Sequence, residues 1–584
     1  MSSSVAKPII KQIEDSREAL DLFEKVSLPT EDEKTQDIIM NFPTVYIHSW
    51  HESGEFEVYV GESNNIFKRT RQHYDASSDK NVWQSKLVKN DARLFIIGHE
   101  HFNKSLTLDI ENRLMHYMMS VEQVKHVHNL RDNPQTSYYP MEELDEIFSK
   151  IWRGLRKEDK ELFPTEIAIK DSAIYKASPL HKLTKEQEKA RDLIIQKISK
   201  ALENGETKQL IFIDGEAGTG KTVLNSSTFY ELYCQMEENE KIFKCHLLVN
   251  HDEQITVYEQ IIEKLGLKDK YGKIVSKPTT FINNHSEDNP VDVAFVDEAH
   301  LLLTQGKQSY RGENQLKDII DRARVTVVMF DENQILTTEQ FWESQILEQY
   351  RNQAKATNNH IVLDKQLRMQ ADSATIDWID SFTKKGQLKK IPSTFGGYTI
   401  KIFDKPELLD MEIRKRANEN DSALSRVIAT YDWEYSKNHK PKNRIIKYWE
   451  VLIGNWHKPW NLQLEAELSK KEKSSIKKLA WAEQPQTINE VGSTFTIQGF
   501  DLNYAGVILG PSVKYRDGKI IFDPSASRNE KAIRNRTLSD GTKKKFGEIL
   551  IQHEVRVLMT RAINGMYIYA CDPELQAALL EAAK

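Results

Sequence analysis

The sequence is poor in cysteine, and it contains no long apolar run. Its three cysteines, Cys234, Cys245 and Cys571, form no C-x-x-C pair, so neither a disulfide framework nor a zinc knuckle is expected. No stretch of about 18 apolar residues occurs, which excludes a membrane-spanning helix. The first residues also lack the apolar core of a secretory signal. We therefore expect a chain in the reducing cytoplasm with no membrane contact.

An excess of positive charge is also missing, since the formal net charge is -6 at pH 7. A polyanion would therefore have to bind in local basic grooves rather than to a globally positive surface. The lysine-rich runs at 470–473 and 543–545 are interpreted as solvated loops. With 584 residues the chain is too long for one core, and its length predicts roughly three or four domains.

The hydrophobic pattern changes along the chain and suggests where the domains lie. Two β-rich runs at 44–48 and 56–60 flank a turn with glycine and predict a hairpin. After residue 183, short and continuously apolar strands alternate with helices, which is typical of parallel sheets covered on both faces. The predicted segments are an N-terminal helical segment (1–41), a small α/β domain (42–135), a helical linker (136–182) and two α/β lobes (183–390 and 391–584).

A phosphate-binding loop is the most specific motif in the sequence. An apolar strand at 209–213 leads into G-E-A-G-T-G-K-T at 215–222, and a helical pattern follows, as the motif G-x-x-x-x-G-K-T requires. Backbone N–H groups of such a loop wrap phosphates, and the helix N-terminus adds its positive dipole end. Lys221 is expected to reach the β- and γ-phosphates, and Thr222 to bind Mg²⁺. The predicted nucleotide-binding residues here are Gly215, Glu216, Ala217, Gly218, Thr219, Gly220, Lys221 and Thr222.

Two further strand ends carry polar side chains. Asp297 and Glu298 follow an apolar strand; we expect Asp297 to hold Mg²⁺ and Glu298 to polarise the attacking water. Gln334 follows the next predicted strand and is expected to sense the γ-phosphate. Taken alone, the acidic pair could merely cap a helix, and the glutamine could merely belong to a turn.

In their order, these motifs resemble a superfamily-one helicase, specifically the Schlafen-group-3-like DNA/RNA helicase family, from about residue 183 onwards. The resemblance implies two RecA-like P-loop lobes, ATP and Mg²⁺ as cofactors, and nucleic acid as partner. It implies that Gln187 reads adenine, that Arg368 contacts the γ-phosphate and that Arg561 is an arginine finger. Gly499 lies in the implied motif that couples nucleotide to the tracked strand. An isolated arginine could instead be a surface ion-pair partner.

Four tryptophans of the last lobe, Trp433, Trp449, Trp456 and Trp460, could stack on the bases of a single strand. We favour the alternative that they lie in a core or a domain interface.

The predicted hairpin begins a second set of chemically competent residues. Tyr46 and Tyr59 lie on its two strands, Arg69 and His73 lie one turn apart on the next predicted helix, and Glu111 lies on a later one. A metal held by Glu111 would polarise a phosphate, and Arg69 would neutralise charge on its oxygens. A tyrosine would position, or deprotonate, the attacking water.

This set resembles a GIY-YIG endonuclease over about residues 43–133, with Tyr46 and Tyr59 in the two half-motifs. Thr44 replaces the first glycine, and the tyrosines are spaced a little wider than usual, which a longer hairpin turn explains. Asn129 is a weaker candidate for the polar residue that closes the domain. The resemblance implies phosphodiester cleavage with Mg²⁺, or with Mn²⁺ as an alternative. An ordinary α/β domain, or a version that only binds, remains an open alternative.

Three functions are compatible with this combination. The first is an ATP-driven translocase or helicase with a tethered endonuclease, acting on DNA rather than RNA, in phage defence or restriction. Tethering would raise the local concentration of the nuclease near the tracked strand. The second is an ATP-gated nuclease that never unwinds, and the third is a non-cleaving nucleic-acid sensor. A defence-system partner or a homo-oligomer is compatible with each of them.

Overall fold

In the computed structural model, the described residues are 5–52, 54–75, 83–84, 91–129, 138–181, 183–238, 244–307, 310–365, 367, 369, 371–392, 397–419, 424–436, 439–441, 447–476, 479–497 and 500–584. They form two compact units. The first comprises Met1–Lys182 and Val257–Lys273, and the second comprises Leu183–Thr256 and Ile274–Lys584. Within the described part of the chain, no helix has both the length and the apolar character needed to cross a membrane. The finer domain bounds given above stay predictions.

The first unit is built on one mixed sheet. Its strands are β1 (Ile9–Glu14), β2 (Thr44–Glu52), β3 (Glu55–Ser63), β4 (Arg93–Gly98) and β5 (Val124–His128), in the spatial order β1-β4-β2-β3-β5. Only the β3–β5 pair is parallel. The helices are α1 (Arg17–Leu22), α2 (Glu33–Asn41), α3 (Ile66–Asp75), α4 (Lys104–Ser120), α5 (Leu144–Glu158), α6 (Glu166–Asp171) and α7 (Ala173–Ala177). The predicted hairpin is confirmed as β2 and β3, which pair in antiparallel register.

The prediction of a helical N-terminal segment over residues 1–41 is wrong in its first part. Residues Ile9–Glu14 form β1, which pairs with β4 along its whole length, and helix begins only at Arg17. Isoleucines at 9, 10 and 13 fit either periodicity, and their β-branched side chains favour a strand once a partner strand is available.

The second unit begins with an all-parallel sheet. Its strands are β6 (Gln209–Gly215), β7 (Cys245–Leu248), β8 (Val275–Ser276), β9 (Val291–Val296), β10 (Ala323–Phe330) and β11 (His360–Leu363), ordered β11-β6-β10-β9-β7-β8. The helices are α8 (Lys185–Glu203), α9 (Lys221–Glu238), α10 (Asp252–Lys264), α11 (Leu267–Tyr271), α12 (Pro278–Asn284), α13 (Gln315–Asp321), α14 (Ser344–Ala356) and α15 (Ser373–Thr383). Because all six strands are parallel, their carboxyl ends meet at one edge, where ligands of open α/β sheets bind.

A second parallel sheet follows in the same unit. The strands are β12 (Thr399–Ile402), β13 (Arg426–Ala429), β14 (Glu450–Ile453), β15 (Trp456–Pro459), β16 (Val491–Gly492), β17 (Leu502–Leu509), β18 (Val513–Arg516), β19 (Lys519–Phe522), β20 (Asn535–Thr537), β21 (Lys543–Lys545) and β22 (Ala562–Ala570). The sheet order is β12-β22-β17-β13-β16, and the other six strands form three hairpins. The helices are α16 (Pro406–Ala417), α17 (Lys470–Ile476), α18 (Thr494–Ile497), α19 (Glu530–Ile533), α20 (Gly547–Met559) and α21 (Pro573–Ala582). The predicted α/β class with parallel sheets is confirmed.

The tryptophans of this lobe are core residues, as the sequence analysis favoured. Trp456 and Trp460 are buried, and Trp433 and Trp449 pack against the same apolar cluster. The indole N–H of Trp433 donates to the carbonyl of Leu452, so the ring is tied to the protein.

Candidate nucleotide site and tyrosine cluster

The phosphate loop lies at the carboxyl end of β6 and continues into α9. Gly218 and Gly220 have φ angles of +85° and +79°, a region that glycine occupies without steric cost. A Cβ at Gly220 would also lie 2.2 Å from Nε2 of Gln187. The loop's conformation therefore favours glycine at both positions, and a side chain at Gly220 would also displace the Gln187 amide.

Gln187, expected to read adenine, supports this loop in the structure. Its Nε2 donates to the carbonyls of Thr219 (3.3 Å) and Gly220 (3.4 Å). Its Oε1 accepts from the backbone N–H of Thr184, completing a capping box at the start of α8. Contact between Gln187 and adenine stays a prediction.

Lys221 lies over the phosphate loop and contacts its backbone. Its Nζ donates to the carbonyls of Gly215 (2.6 Å) and Glu216 (2.9 Å), and it lies 3.7 Å from Oδ2 of Asp331. Burial opposes ionisation of Asp331, yet the charges of Lys221 and His300 hold the pKa of its carboxyl below the ordinary value. A buried ion pair therefore fixes the ammonium group at the loop.

Asp297 and Glu298 follow β9 at the same edge of the sheet. Oδ1 of Asp297 accepts from the backbone N–H of Glu298 at 3.0 Å. Glu298 has a φ of +47°, an uncommon conformation for a residue with a Cβ, of the kind that clusters at functional sites. Burial would raise the pKa of Glu298, but the neighbouring His300, Lys221 and Arg561 hold it below its usual value. The side chain is therefore a carboxylate, as a residue that polarises water must be.

Gln334 connects the two lobes of the second unit. Its Nε2 donates to Oδ2 of Asp331 at 2.8 Å, and its Oε1 accepts from Nη2 of Arg561 at 2.6 Å. Arg561, which follows α20, is 1% exposed. A continuous set of contacts therefore runs from the second lobe to the lysine of the phosphate loop.

Three residues at this site were not predicted as site residues, namely Asp331, Lys384 and Arg556. Arg556 lies on α20, and its Nη2 donates to Oε2 of Glu216 at 2.5 Å. Nζ of Lys384 donates to Oε1 of the same carboxylate at 2.5 Å. These side chains line a cavity of about 560 Å³ beside the phosphate loop. Nothing in the local sequence distinguishes Arg556 or Lys384 from other surface cations.

Two predicted residues, Arg368 and Gly499, lie outside the described residues, and their roles stay predictions. Thr222 is the second residue of α9. In the described part of the chain, no three His, Cys, Asp or Glu side chains group to hold a metal. Mg²⁺ bound with a nucleotide needs only one or two protein ligands besides phosphate oxygens and water, and the oxygens of Thr222 and Asp297 fit that need.

The first unit brings the predicted tyrosine set together. The rings of Tyr46 and Tyr59 stack with centroids 6.2 Å apart, and the Tyr46 hydroxyl lies 2.9 Å from Nε2 of His73. The guanidinium of Arg69 lies beside both tyrosines and interacts with them electrostatically. A Cβ at Gly61 would lie 2.5 Å from the Tyr46 hydroxyl, so a glycine is needed where the ring crosses β3.

Burial keeps both His73 and Tyr46 of this cluster uncharged. Burial, together with the charges of His48 and Arg69, lowers the pKa of His73 to about 3, so its imidazole is neutral and can accept a hydrogen bond. Burial and the neighbouring Tyr59 raise the pKa of Tyr46 well above its ordinary value. Tyr46 is therefore a neutral phenol hydrogen-bonded to His73, rather than a phenolate able to take a proton from water.

Glu111 and Asn129 complete the cluster, since Nδ2 of Asn129 donates to Oε1 of Glu111 at 3.2 Å. Another buried pair lies beside them that the sequence analysis missed. Nδ1 of His48 is 2.6 Å from Oδ2 of Asp15, and both side chains are inaccessible to solvent. His48 is two residues after Tyr46 and therefore on the same face of β2, but Asp15 is too distant in sequence to be recognised.

A phosphate loop after β6, an acidic pair after β9 at the same sheet edge and an arginine from a second parallel-sheet lobe define a P-loop nucleotide-binding protein. Residues 208–572 match the family described as Schlafen group 3, DNA/RNA helicase domain. The chain belongs to this family.

A relative and two solved structures are similar to the chain. An uncharacterized protein of Saccharomyces cerevisiae is 29% identical over 442 residues, which are 69% of this chain and 91% of that protein. The arterivirus nonstructural protein 10 helicase, solved with DNA, is 13% identical at a TM-score of 0.27. That match covers 66% of this chain and 65% of the viral chain, a little less than two thirds of its length. The Pif1 helicase from Candida albicans is 11% identical at a TM-score of 0.26, covering 66% of this chain and 95% of that one. Neither structural likeness contributes to the family assignment.

Proposed function

We propose that this protein is a nucleic-acid-stimulated ATPase of the translocase or helicase type. The observation that supports this most directly is the contact of Arg561, from the second lobe, with Gln334, which bonds Asp331 beside Lys221. Motors of this kind hydrolyse nucleotide between two lobes, and this contact joins two such lobes at the phosphate loop. Membership of a DNA/RNA helicase domain family supports the same proposal.

The side chains have distinct roles in hydrolysis. Lys221 and the N–H groups of the phosphate loop bind the triphosphate and offset its charge. Glu298, ionised and held in a strained conformation, orients the attacking water and accepts its proton. Arg561 places a fixed positive charge where negative charge develops on the transferred group. Mg²⁺, when bound by Thr222 and Asp297, supplies further charge neutralisation at the phosphates.

This proposal is tested by phosphate release from ATP with and without single-stranded DNA, duplex DNA and RNA. We expect nucleic acid to stimulate hydrolysis by the wild type, with DNA more effective than RNA. Lys221→Ala and Glu298→Gln should both abolish turnover, but only Lys221→Ala should lose nucleotide binding. Lys317→Ala, which removes an exposed lysine of α13, is the control for loss of one positive charge. Absence of any nucleic-acid-stimulated hydrolysis by the wild type would refute the motor.

A second candidate function, metal-dependent phosphodiester cleavage by the first unit, is favoured by the meeting of five side chains. Arg69 would bind the phosphate, and neutral His73 would hold the Tyr46 hydroxyl in position. Glu111, whose orientation Asn129 fixes, would hold Mg²⁺ or Mn²⁺. A GIY-YIG nuclease uses the same set of side-chain types, so we propose that the first unit is such a domain.

Cleavage is tested on plasmid DNA and RNA with Mg²⁺ or Mn²⁺, with and without ATP. Loss of cleavage in both Glu111→Gln and Lys221→Ala would support a nuclease tethered to a motor. Cleavage that persists in Lys221→Ala but not in Glu111→Gln would support an ATP-gated nuclease without unwinding. Nucleic-acid binding without cleavage in the presence of either metal would support a non-cleaving nucleic-acid sensor. Glu122→Gln, which alters an exposed carboxylate of the same unit, is the control.

The role in phage defence or restriction, the cytoplasmic location and any defence partner or homo-oligomer stay predictions. They rest on the pairing of a motor with a nuclease-like unit and on the composition of the chain.

A further inference from the structure

Four charged side chains form a network across the cleft beside the phosphate loop. Glu216 lies on the loop itself, Asp380 and Lys384 lie at the end of α15, and Arg556 lies on α20. Arg556 donates to both carboxylates through different nitrogens, Nη1 to Asp380 and Nη2 to Glu216. Lys384 also contacts both, at 2.5 Å from Glu216 and 3.0 Å from Asp380. Two anions and two cations therefore compensate one another.

The members of this network are not equally fixed. The Arg556 side chain is only 7% exposed, whereas that of Glu216 is 45% exposed. Burial opposes ionisation of Asp380, yet Arg556 holds the pKa of its carboxyl below the ordinary value. Asp380 therefore anchors Arg556 from within the protein, and Glu216 is the partner that can turn into solvent and leave.

The position of Glu216 is chemically unexpected. It follows the first glycine of a loop whose backbone N–H groups bind phosphate, where a carboxylate repels the ligand by like charge. Its two carboxylate oxygens accept hydrogen bonds from Arg556 and Lys384. Two phosphate oxygens could accept the same bonds, since the arginine fork and the ammonium group bind either kind of anion.

We infer that Glu216 is a built-in competitor of the nucleotide, and that Arg556 and Lys384 pass from its carboxylate to the terminal phosphate of a bound nucleoside triphosphate. The inference rests on the proposed nucleotide-binding function and adds two phosphate-binding residues to it. Arg556 differs from Arg561, which contacts Gln334 rather than the loop. These side chains and Gly215 line a cavity of about 560 Å³, which gives a terminal phosphate room to replace the Glu216 carboxylate.

A consequence is discrimination between triphosphate and diphosphate. A nucleoside diphosphate leaves no terminal phosphate for the two cations, so they return to Glu216. The triphosphate alone then joins the phosphate loop to α20 through its own oxygens. Neutralising Glu216 should therefore favour the triphosphate selectively.

The test compares dissociation constants for a non-hydrolysable ATP analogue and for ADP in the wild type, Glu216→Gln, Lys384→Gln and Lys221→Ala. A hydrogen bond between charged groups changes affinity about 10-fold or more. Glu216→Gln should therefore bind the analogue about 10-fold more tightly than the wild type, and Lys384→Gln about 10-fold more weakly, while ADP changes by less than about 3-fold in both. Glu348→Gln, an exposed carboxylate that pairs with Arg351, controls for a change of one charge near the cleft.

Both test residues are partly exposed, Glu216 at 45% and Lys384 at 32%, so their variants are expected to fold, and thermal unfolding checks this. Equal analogue affinity in Glu216→Gln and Glu348→Gln would overturn the inference, as would equal weakening of analogue and ADP binding in Lys384→Gln. Wild-type protein that binds no nucleotide, or binds it equally well in Lys221→Ala, would instead refute the proposed function.

Discussion

Replacement of Arg561 by lysine isolates what the arginine contributes beyond its charge. The guanidinium is 1% exposed and donates from Nη2 to Oε1 of Gln334 at 2.6 Å. Lysine keeps the positive charge but loses the planar fork, and a buried hydrogen bond from a charged group is worth roughly 1.5–3 kcal/mol, or about 10- to 150-fold. Arginine fingers contribute about 10³- to 10⁵-fold to turnover as a whole. We therefore expect Arg561→Lys to lower kcat about 10²-fold and Arg561→Ala at least about 10³-fold.

The measurement is steady-state phosphate release with saturating nucleic acid, together with equilibrium binding of ATP. Because the proposed role of Arg561 is to act when charge develops during transfer, the dissociation constant for ATP should change by less than about 10-fold. Arg516→Lys is the matched control. Arg516 forms a bidentate pair with Asp572, and neither residue belongs to this site. A kcat of Arg561→Lys within about two-fold of the wild type would show that the arginine contributes only its charge, contrary to this prediction. A cycle with Gln334→Ala should be non-additive, because the two side chains are in contact.

Two further predictions concern the second unit. Burial, reinforced by Asp432, raises the pKa of Glu554 to about 8, so the folded protein binds a proton there that the unfolded chain releases above a pKa of about 4.3. Stability is therefore lost as pH rises through this window. Glu554→Gln keeps the acceptor for the Tyr431 N–H, so it should stabilise the fold at pH 9 by on the order of 3 kcal/mol and hardly at pH 5. An equal gain in unfolding free energy at both pH values, measured by urea unfolding, would contradict this. Trp460 is completely buried, so Trp460→Ala should cost about 3–5 kcal/mol in the same assay, whereas weaker binding of single strands with unchanged stability would point instead to a stacking role.

The parallel sheets were predictable because their strands are short and continuously apolar. Such runs lie at 209–213 and 325–330, and in the structure they become β6 and β10, neighbours in the first parallel sheet. The isoleucines at 9, 10 and 13 carry no comparable signal, because a short apolar group fits a helix or a strand equally. These residues form a strand because β4, more than 80 positions later, supplies the backbone hydrogen-bond partners. No local pattern in the sequence reveals that pairing.

Some residues of the candidate site are likewise predictable from local sequence, and others only from tertiary packing. Lys221 and Glu298 were predictable because strand, loop and helix propensities place them at one sheet edge. The network around Glu216 was not, because its partner Arg556 is 340 positions away and Lys384 is 168 away. Only the packing of the two lobes brings these charges together, and an arginine on a helix has many alternative roles.

The two arginines lie close together along the chain. Arg556 lies near the end of α20, and Arg561 lies two residues beyond its last residue. Nearly every residue of α20 from Leu550 to Met559 is buried, and a packed helix moves as a rigid body rather than bending residue by residue. A displacement of α20 therefore moves Arg556 and the start of the segment that carries Arg561 together. The same helix packs against α18 (Thr494–Ile497), inside the segment predicted to couple nucleotide to the tracked strand. In the proposed motor, the phosphate contacts and that segment therefore share one packed helix, as coupling of hydrolysis to the tracked strand requires.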